Sequence, residues 1–416
     1  MRSVVIVGGG VIGCLSAYHL VKAGWTVTVL DRGRIGGGCS HGNCGYVCPS
    51  HVLPLAAPGA IGNTLKTLFT RNSPLKVRPG FALTHLGWFL SFAKRCNQAD
   101  MLAAAVGIQA LLNSSRTLFD ELLEAERFDV EWDKHGLLFV FQSKAAFEHY
   151  AHTDHLLSDR FQTAALRLEQ AELMRLEPAL KPGSVSGGYL YQSDAQLRPD
   201  RLMAALHQRL REYGVTFVEN AEVTNIVRSK NATVPALAVQ TAGGDFPADQ
   251  FVVTAGAWTS RFLRGQSLGS PPIIPGKGYS ITMPRPAVCP TYPMIFEEHR
   301  VAVSPFRTGF RVGSTMEFAG YDETMNRDRL KLLTDAAAVY LTDPGDPTQG
   351  AEEWWGWRPM TPSGLPVIDR VPGLPNVWVA AGHGMLGLSM ATGTGKLVAE
   401  LLGGEKTHIP VEAYKL

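Results

Sequence analysis

The start of the chain most narrows the folds open to it: Val4 to Val7 form a β-branched run that stops at Gly8-Gly9-Gly10. Such a run suits a buried parallel strand. A helical stretch follows from about Val11 to Lys22, with Gly24 placed like a C-terminal cap, and Val27 to Leu30 restores a strand that ends on Asp31. Within this β-α-β unit the pattern Gly8-x-Gly10-x-x-Gly13 has a physical logic. Gly8 allows the tight turn, Gly10 lets the backbone approach a pyrophosphate, and Gly13 lets helix and strand pack closely. The first helical residues, Val11 and Ile12, bring amide donors to phosphates. Asp31, 18 residues after Gly13, is placed to accept from ribose hydroxyls. Dinucleotide binding is the expected consequence, with FAD and NAD both open.

A length of 416 residues is two or three times that of a typical domain, so two lobes are expected. Hydrophobic residues at 45% and charged residues at 18% exclude a disordered chain. The formal net charge of +2 leaves no excess to neutralise a phosphate backbone, which excludes nucleic acid as the natural partner. Six cysteines are too few for a disulfide scaffold and fit a reducing compartment, so the cytoplasm is the expected location. No uninterrupted apolar run reaches the roughly 18 residues of a spanning helix, and the glycine triplet argues against reading the N-terminus as an export signal.

Further along, Phe251-Val252-Val253 enters Thr254-Ala255-Gly256, and Val377-Trp378-Val379 enters Ala380-Ala381-Gly382. Two apolar strands ending in small residues resemble the carboxyl edge of a parallel sheet, where ligands bind. Helices are expected between Asp100 and Phe128, and from Asp200, as N-cap, to Gly214; strands are expected at Leu137 to Phe141, Val215 to Val218 and Val223 to Val227. Ser280 to Met283 and Phe310 to Met316 alternate as antiparallel strands do. The fold expected is α/β: a Rossmann-type dinucleotide-binding domain with an inserted α+β substrate domain on a mixed or antiparallel sheet. The division expected is 1–50, 166–265 and 356–416 for the first and 51–165 and 266–355 for the second.

Three cysteines, Cys39, Cys44 and Cys48, fall in one loop with His41 and His51. The spacing C-x4-C-x3-C lacks a C-x2-C pair, which weakens a metal or iron–sulfur reading, and no metal is expected. A redox thiol is a second reading, and small residues that let the loop lie against a cofactor a third and better one. Near the C-terminus, Gly382-His383-Gly384-Met385-Leu386-Gly387 before a helix forms a second candidate amide cluster, with His383 either catalytic or orienting. Arg358, between Trp357 and Pro359, suits a carboxylate, either of a substrate or of a structural ion pair. Trp88, Phe89 and Phe92, ahead of Lys94 and Arg95, read as core packing first and as a peripheral membrane contact second.

Taken together, VVIVGGGVIG, CSHGNCGYVCPSH followed by AAPGA, PGKGYSIT, FRVGSTMEFAG, GWRPMTPSGLPVI and AAGHGMLGLSMATGTG resemble the FAD-dependent D-amino-acid oxidase and dehydrogenase superfamily. The likeness spans nearly the whole chain and is strongest to the bacterial D-amino-acid dehydrogenase small-subunit group, D-proline and hydroxy-D-proline dehydrogenase-like members included. The resemblance implies FAD, with Asp31 and Arg32 at the adenosine end and Val223 touching adenine through its backbone. It also implies that Ser40, His41, Asn43, Cys44, Gly45, Tyr46 and Val47 line the flavin. Gly256 and the stretch Gly382, Gly384, Met385, Leu386, Gly387 and Leu388 complete the cofactor set. Arg358 matches the arginine that holds the substrate carboxylate, and Lys277 and Tyr279 match a strand near the substrate. Arg358, Tyr279, Lys277 and His383 form the expected catalytic set; His51 and Met385 join Arg358 and Tyr279 in binding substrate.

The implied reaction takes a D-amino acid, or a cyclic imino acid such as D-proline or cis-4-hydroxy-D-proline, to an imine or 2-oxo acid. Electrons pass on to a quinone or another acceptor. An oxygen-using oxidase shares every residue named, and an electron-transfer subunit without turnover is the alternative from another class. The chain departs from the pattern in three places. Gly384-Met385 stand where glycine-oxidase relatives carry an arginine, Val301 lies near where such relatives have a tyrosine, and the three-cysteine loop is not the usual wording.

Overall fold

A computed structural model describes residues 2–62, 73, 75–228 and 235–416. The chain lays down β1 (Ser3–Val7), α1 (Val11–Lys22), β2 (Thr26–Leu30), β3 (Thr216–Val218) and β4 (Gln250–Val253). It leaves for β5 (Ile274–Met283), β6 (Phe310–Phe318) and β7 (Glu352–Met360), and returns with β8 (Val367–Arg370) and β9 (Val377–Ala381). One sheet has the order β8-β9-β4-β1-β2-β3, parallel throughout except for the β8–β9 pair. The two strands expected to end in small residues, β4 and β9, are neighbours in it.

The second sheet is mixed and runs β7-β5-β6, then Val301–Ser304, Met294–Phe296, Leu137–Phe141, Gly187–Tyr191 and Leu166–Glu169. This corrects the expected division in two places. Leu166–Glu169 and Gly187–Tyr191 pair through Leu137–Phe141 into the mixed sheet, so the stretch after 166 begins on that side. Residues 356–360 belong there too, as the end of β7. Long-range pairing, invisible to local pattern, decides both.

Helices, α1 among them, cover one face of the parallel sheet. α1 lies against the C-terminal helix Ala391–Gly403, and a Cβ on Gly395 would sit 2.6 Å from the Leu15 carbonyl, so glycine is what lets them meet. Gly393 lies in the same helix, its amide bonded to Ser115 Oγ at 2.8 Å. Both glycines therefore serve packing and not an anion. The helix expected to start with Asp200 as N-cap runs Pro199–Glu212, with Arg198 as N-cap. Pro199 takes the first helical position, which its fixed φ suits, and Asp200 sits in the first turn, accepting from Arg198 Nε at 3.1 Å. In the segment Leu86–Arg95, Trp88 and Phe89 pack on Phe318 while Leu86 and Leu90 stay exposed. Among the described residues no helix is long and apolar enough to cross a membrane.

Candidate active site

The fingerprint closes as its residue types require. A Cβ on Gly13 would stand 2.0 Å from Gly8 O, and Gly8, at φ +115°, faces the Thr254 carbonyl at the end of β4. The Asp31 carboxylate accepts from the amides of Gly9 (2.7 Å) and Gly33 (2.8 Å), and Arg32 stacks over Trp258 at 3.8 Å. Val223 packs into the core under this edge, and its backbone N–H and C=O make no hydrogen bond to a described residue. Gly256 opens a short 3-10 turn after β4, at φ +54°.

The cysteine loop joins that edge to the mixed sheet. Ser40 Oγ accepts from Val11 N at 3.0 Å, capping the helix start. His41 meets Glu352 at 2.6 Å, and Asn43 Oδ1 takes the Gly45 amide at 2.7 Å. Tyr46 and Val47 pair with Ala195–Gln196, and the Tyr46 hydroxyl lies 2.8 Å from the carbonyls of both Met294 and Val303. The three thiols go separate ways: Cys48 to Ser389 (3.3 Å), Cys44 into the notch at Gly313, and Cys39 beside Gly356. All are free, and among the described residues no group of His, Cys, Asp and Glu could hold a metal.

Arg358 stands on β7 opposite Gly276, its guanidinium resting where a Gly278 side chain would be, 2.3 Å from the missing Cβ. Nη1 donates to Thr315 O at 2.9 Å. Desolvation holds its pKa below the usual arginine value, with the Cys39 and Cys44 thiols opposing the shift. Among the described residues it has no carboxylate partner, which removes the structural ion-pair reading. The loop after β9 arrives here because Gly384 N bonds Pro359 O at 3.0 Å. Gly382 and Gly384 both have positive φ; Leu386 bonds back to His383, Gly387 and Leu388 follow, and Met385 is exposed at the rim. His383 itself is buried, its Nε2 3.0 Å from Thr394 Oγ1, and burial pushes it down to about 3. The neutral ring is thereby tied to the C-terminal helix. His51 packs on Phe139, 3.2 Å from Ser50 Oγ, and burial together with Arg300 lowers it to about 4.

Lys277 and Tyr279 are not with Arg358, and this corrects their expected roles. Side chains alternate across a strand, so while Gly276, Gly278 and Ser280 face Arg358 and the cysteine loop, Lys277 and Tyr279 face away. Lys277 Nζ donates to the carbonyls of Asp322 (2.7 Å) and Thr324. Tyr279 donates to Glu317 at 2.7 Å within the second core.

A dinucleotide fingerprint, the carboxyl edge of the parallel sheet and a half-buried arginine without a carboxylate partner thus lie along the loop that joins the two sheets. Residues 3–401 match the family model described as FAD dependent oxidoreductase. The chain belongs to that family. It is 31% identical to a D-amino acid dehydrogenase of Vibrio vulnificus, over 98% of this chain and 97% of that one, and 30% identical to one of Vibrio atlanticus over 98% and 97%. Among solved structures it resembles glycine oxidase of Geobacillus kaustophilus (TM-score 0.78, 22% identity, 100% and 99% covered) and L-proline dehydrogenase of P. horikoshii (0.73, 20%, 100% and 96%). These share the fold.

As a member of this family the chain uses FAD, and its residues fit that group. The amides of Gly10, Ile12 and Gly13 have no partner among the described residues, and α1 has no side-chain cap beyond Ser40 on Val11. Unpaired amides at a glycine-lined helix start are what a pyrophosphate satisfies. The sequence reading missed Gly278, Trp354 and Arg311. Trp354 lies over Gly42 and Gly356, which have no room for a Cβ beneath the indole, and so walls the side of Arg358. Glycine at alternate positions in PGKGYS was the signal available for the first.

Proposed function

We propose that this chain is an FAD-dependent D-amino-acid dehydrogenase that also accepts cyclic imino acids such as D-proline or cis-4-hydroxy-D-proline. The supporting observation is Arg358, a desolvated guanidinium without a carboxylate partner beside the flavin-binding edge. Such a group lacks a counter-ion that a substrate carboxylate supplies, in the fork geometry arginine favours. When bound, FAD would supply the two-electron acceptor for oxidation of the substrate Cα–N bond to an imine, a product that water would hydrolyse to a 2-oxo acid or that would remain cyclic when proline-like. The chain's own part is to hold the substrate by its carboxylate and to wall one side with Trp354. The names of the Vibrio relatives support the dehydrogenase reading.

The electron acceptor in this reading is a quinone or another carrier. The exposed Leu83, Leu86 and Leu90, followed by Lys94 and Arg95, form the face that would meet an anionic lipid surface. Co-sedimentation with anionic vesicles, lost on changing the three leucines to serine, tests that contact.

One anaerobic panel tests the main reading. D-Ala, D-Met, D-Phe, D-Arg, D-Pro and cis-4-hydroxy-D-proline, each beside its L-configured counterpart, are mixed with the yellow protein and flavin bleaching is recorded. Bleaching by D-configured substrates is expected. Bleaching by none of them sinks the proposal, and peroxide formed as fast as dye is reduced would replace dehydrogenase with oxidase.

A further inference from the structure

Arg311 is completely buried, yet its nearest carboxylate, that of Asp200, is 3.9 Å away. Its charge is spread instead over neutral acceptors: Nε donates to Thr282 Oγ1 at 2.7 Å, and Nη1 to the carbonyls of His41 (3.1 Å) and Asn43 (2.6 Å). Between and beside those carbonyls, Gly42 O accepts from Ser280 Oγ at 2.9 Å and Cys44 O from Ser304 Oγ at 2.5 Å. Four successive carbonyls, 41 to 44, are therefore pulled onto the mixed sheet by side chains of β6, β5 and the strand Val301–Ser304.

The peptide group is planar, and in its trans form the C=O of one residue and the N–H of the next point in opposite directions. No peptide bond among the described residues is cis. Fixing the carbonyls of 41 to 44 toward the sheet therefore turns the amides of 42 to 45 away from it. Asn43 Oδ1 takes the amide of Gly45. Those of Gly42, Asn43 and Cys44 make no hydrogen bond to a described residue. Three adjacent unpaired amides in a half-buried loop are costly, and native chains rarely leave them so.

We infer that Arg311 is a positioning residue which, with Ser280 and Ser304, presents the amides of Gly42, Asn43 and Cys44 as a donor row for the oxygen- and nitrogen-bearing edge of the FAD ring system. The inference rests on the FAD reading and not on the choice of substrate. The row starts beside Ser40, which holds the fingerprint helix, and ends at Cys44, whose thiol lies in the field of Arg358. The mixed sheet thereby sets the cofactor loop as well as the substrate anchor, and a strand shift in that sheet would move both.

Arg311→Met and Arg311→Lys are compared with the parent, using the full chain with FAD bound and after FAD removal. Arg311→Met is expected to weaken FAD binding at least about tenfold and to shift the visible flavin spectrum, with Arg311→Lys intermediate. ADP, which probes only the fingerprint end, should bind the FAD-free chain with unchanged affinity. Equal loss of FAD and ADP affinity, or FAD affinity and spectrum unchanged in both variants, would overturn the inference. Should Arg311→Met fail to fold, the double variant Ser280→Ala/Ser304→Ala carries the test, with FAD affinity reduced severalfold and ADP unaffected expected, and no change in FAD affinity overturning it. No substrate enters the experiment, so its failure is separable from failure of the dehydrogenase reading.

Discussion

The two faces of the single strand β5 have opposite contents. One shows Gly276, Gly278 and Ser280, almost bare backbone, and against it lie Arg358 and the cysteine loop. The other shows Lys277, Tyr279, Ile281 and Met283, bulky or charged groups sealed under the helix Arg327–Tyr340 or tied to carbonyls. In PGKGYS the reactive letters occupy the structural face, and the letters without side chains make the working one. Room for a functional group can matter more in a strand than another functional group.

The largest effect expected from this contrast comes from removing the guanidinium of Arg358 from the working face. Arg358→Leu should lower kcat/KM for a D-amino acid by about 3–5 kcal/mol, roughly 10²–10⁴-fold, through KM above all, while the protein stays yellow. Unchanged apparent affinity for every substrate would break the assignment of that face. Filling its notch comes next. Gly278→Ala places a Cβ 2.3 Å from the Arg358 guanidinium carbon, so the guanidinium must move. A KM increase of roughly tenfold to 100-fold is expected without loss of FAD, and a KM within twofold of the parent would show that the notch does not set the arginine.

The N-terminal half of the site was legible because it is local: strand, turn, helix and acid lie within 31 residues, and Gly8 and Gly13 each have a steric reason of their own. Arg358 was legible through its wording, GWRP, and through the resemblance. Which face a residue occupies was less so. A bulge at β6, where the register shifts between Gly278 and Ser280 and Ser314 takes φ +104°, carries Glu317 to the side of Lys277. Arg311 escaped notice because an isolated arginine in a strand has no local signature; its role depends on a loop some 270 residues earlier in the chain.

The histidines sharpen the contrast at a smaller scale. Unlike the guanidiniums of Arg358 and Arg311, two imidazoles are kept neutral by burial, His383 at about 3 and His51 at about 4. Unfolded histidine takes up a proton near pH 6.5, so between pH 6.5 and 4 the unfolded chain binds more protons than the folded one. Stability therefore falls as pH drops through that window. For His383 the loss at pH 5 relative to pH 7 is about 2 kcal/mol. Denaturant unfolding at the two pH values should show this difference, and His383→Asn should reduce it; an identical acid sensitivity in the variant would mean that His383 is protonated in the folded protein.

The smallest effect on catalysis belongs to the sealed face, and it is the most direct test of the contrast. Lys277→Met leaves the carbonyls of Asp322 and Thr324 without their donor, so a stability loss of about 1–3 kcal/mol is expected. Tyr279→Phe removes only the hydroxyl that meets Glu317 and should cost about 1 kcal/mol. Neither side chain reaches the face that carries Arg358, so kcat and KM at a temperature well below Tm should stay within about threefold of the parent. A Lys277→Met variant that folds, keeps FAD and still loses a hundredfold in kcat would put that lysine back among the groups that act on the substrate, and would require the strand to turn over in the working enzyme.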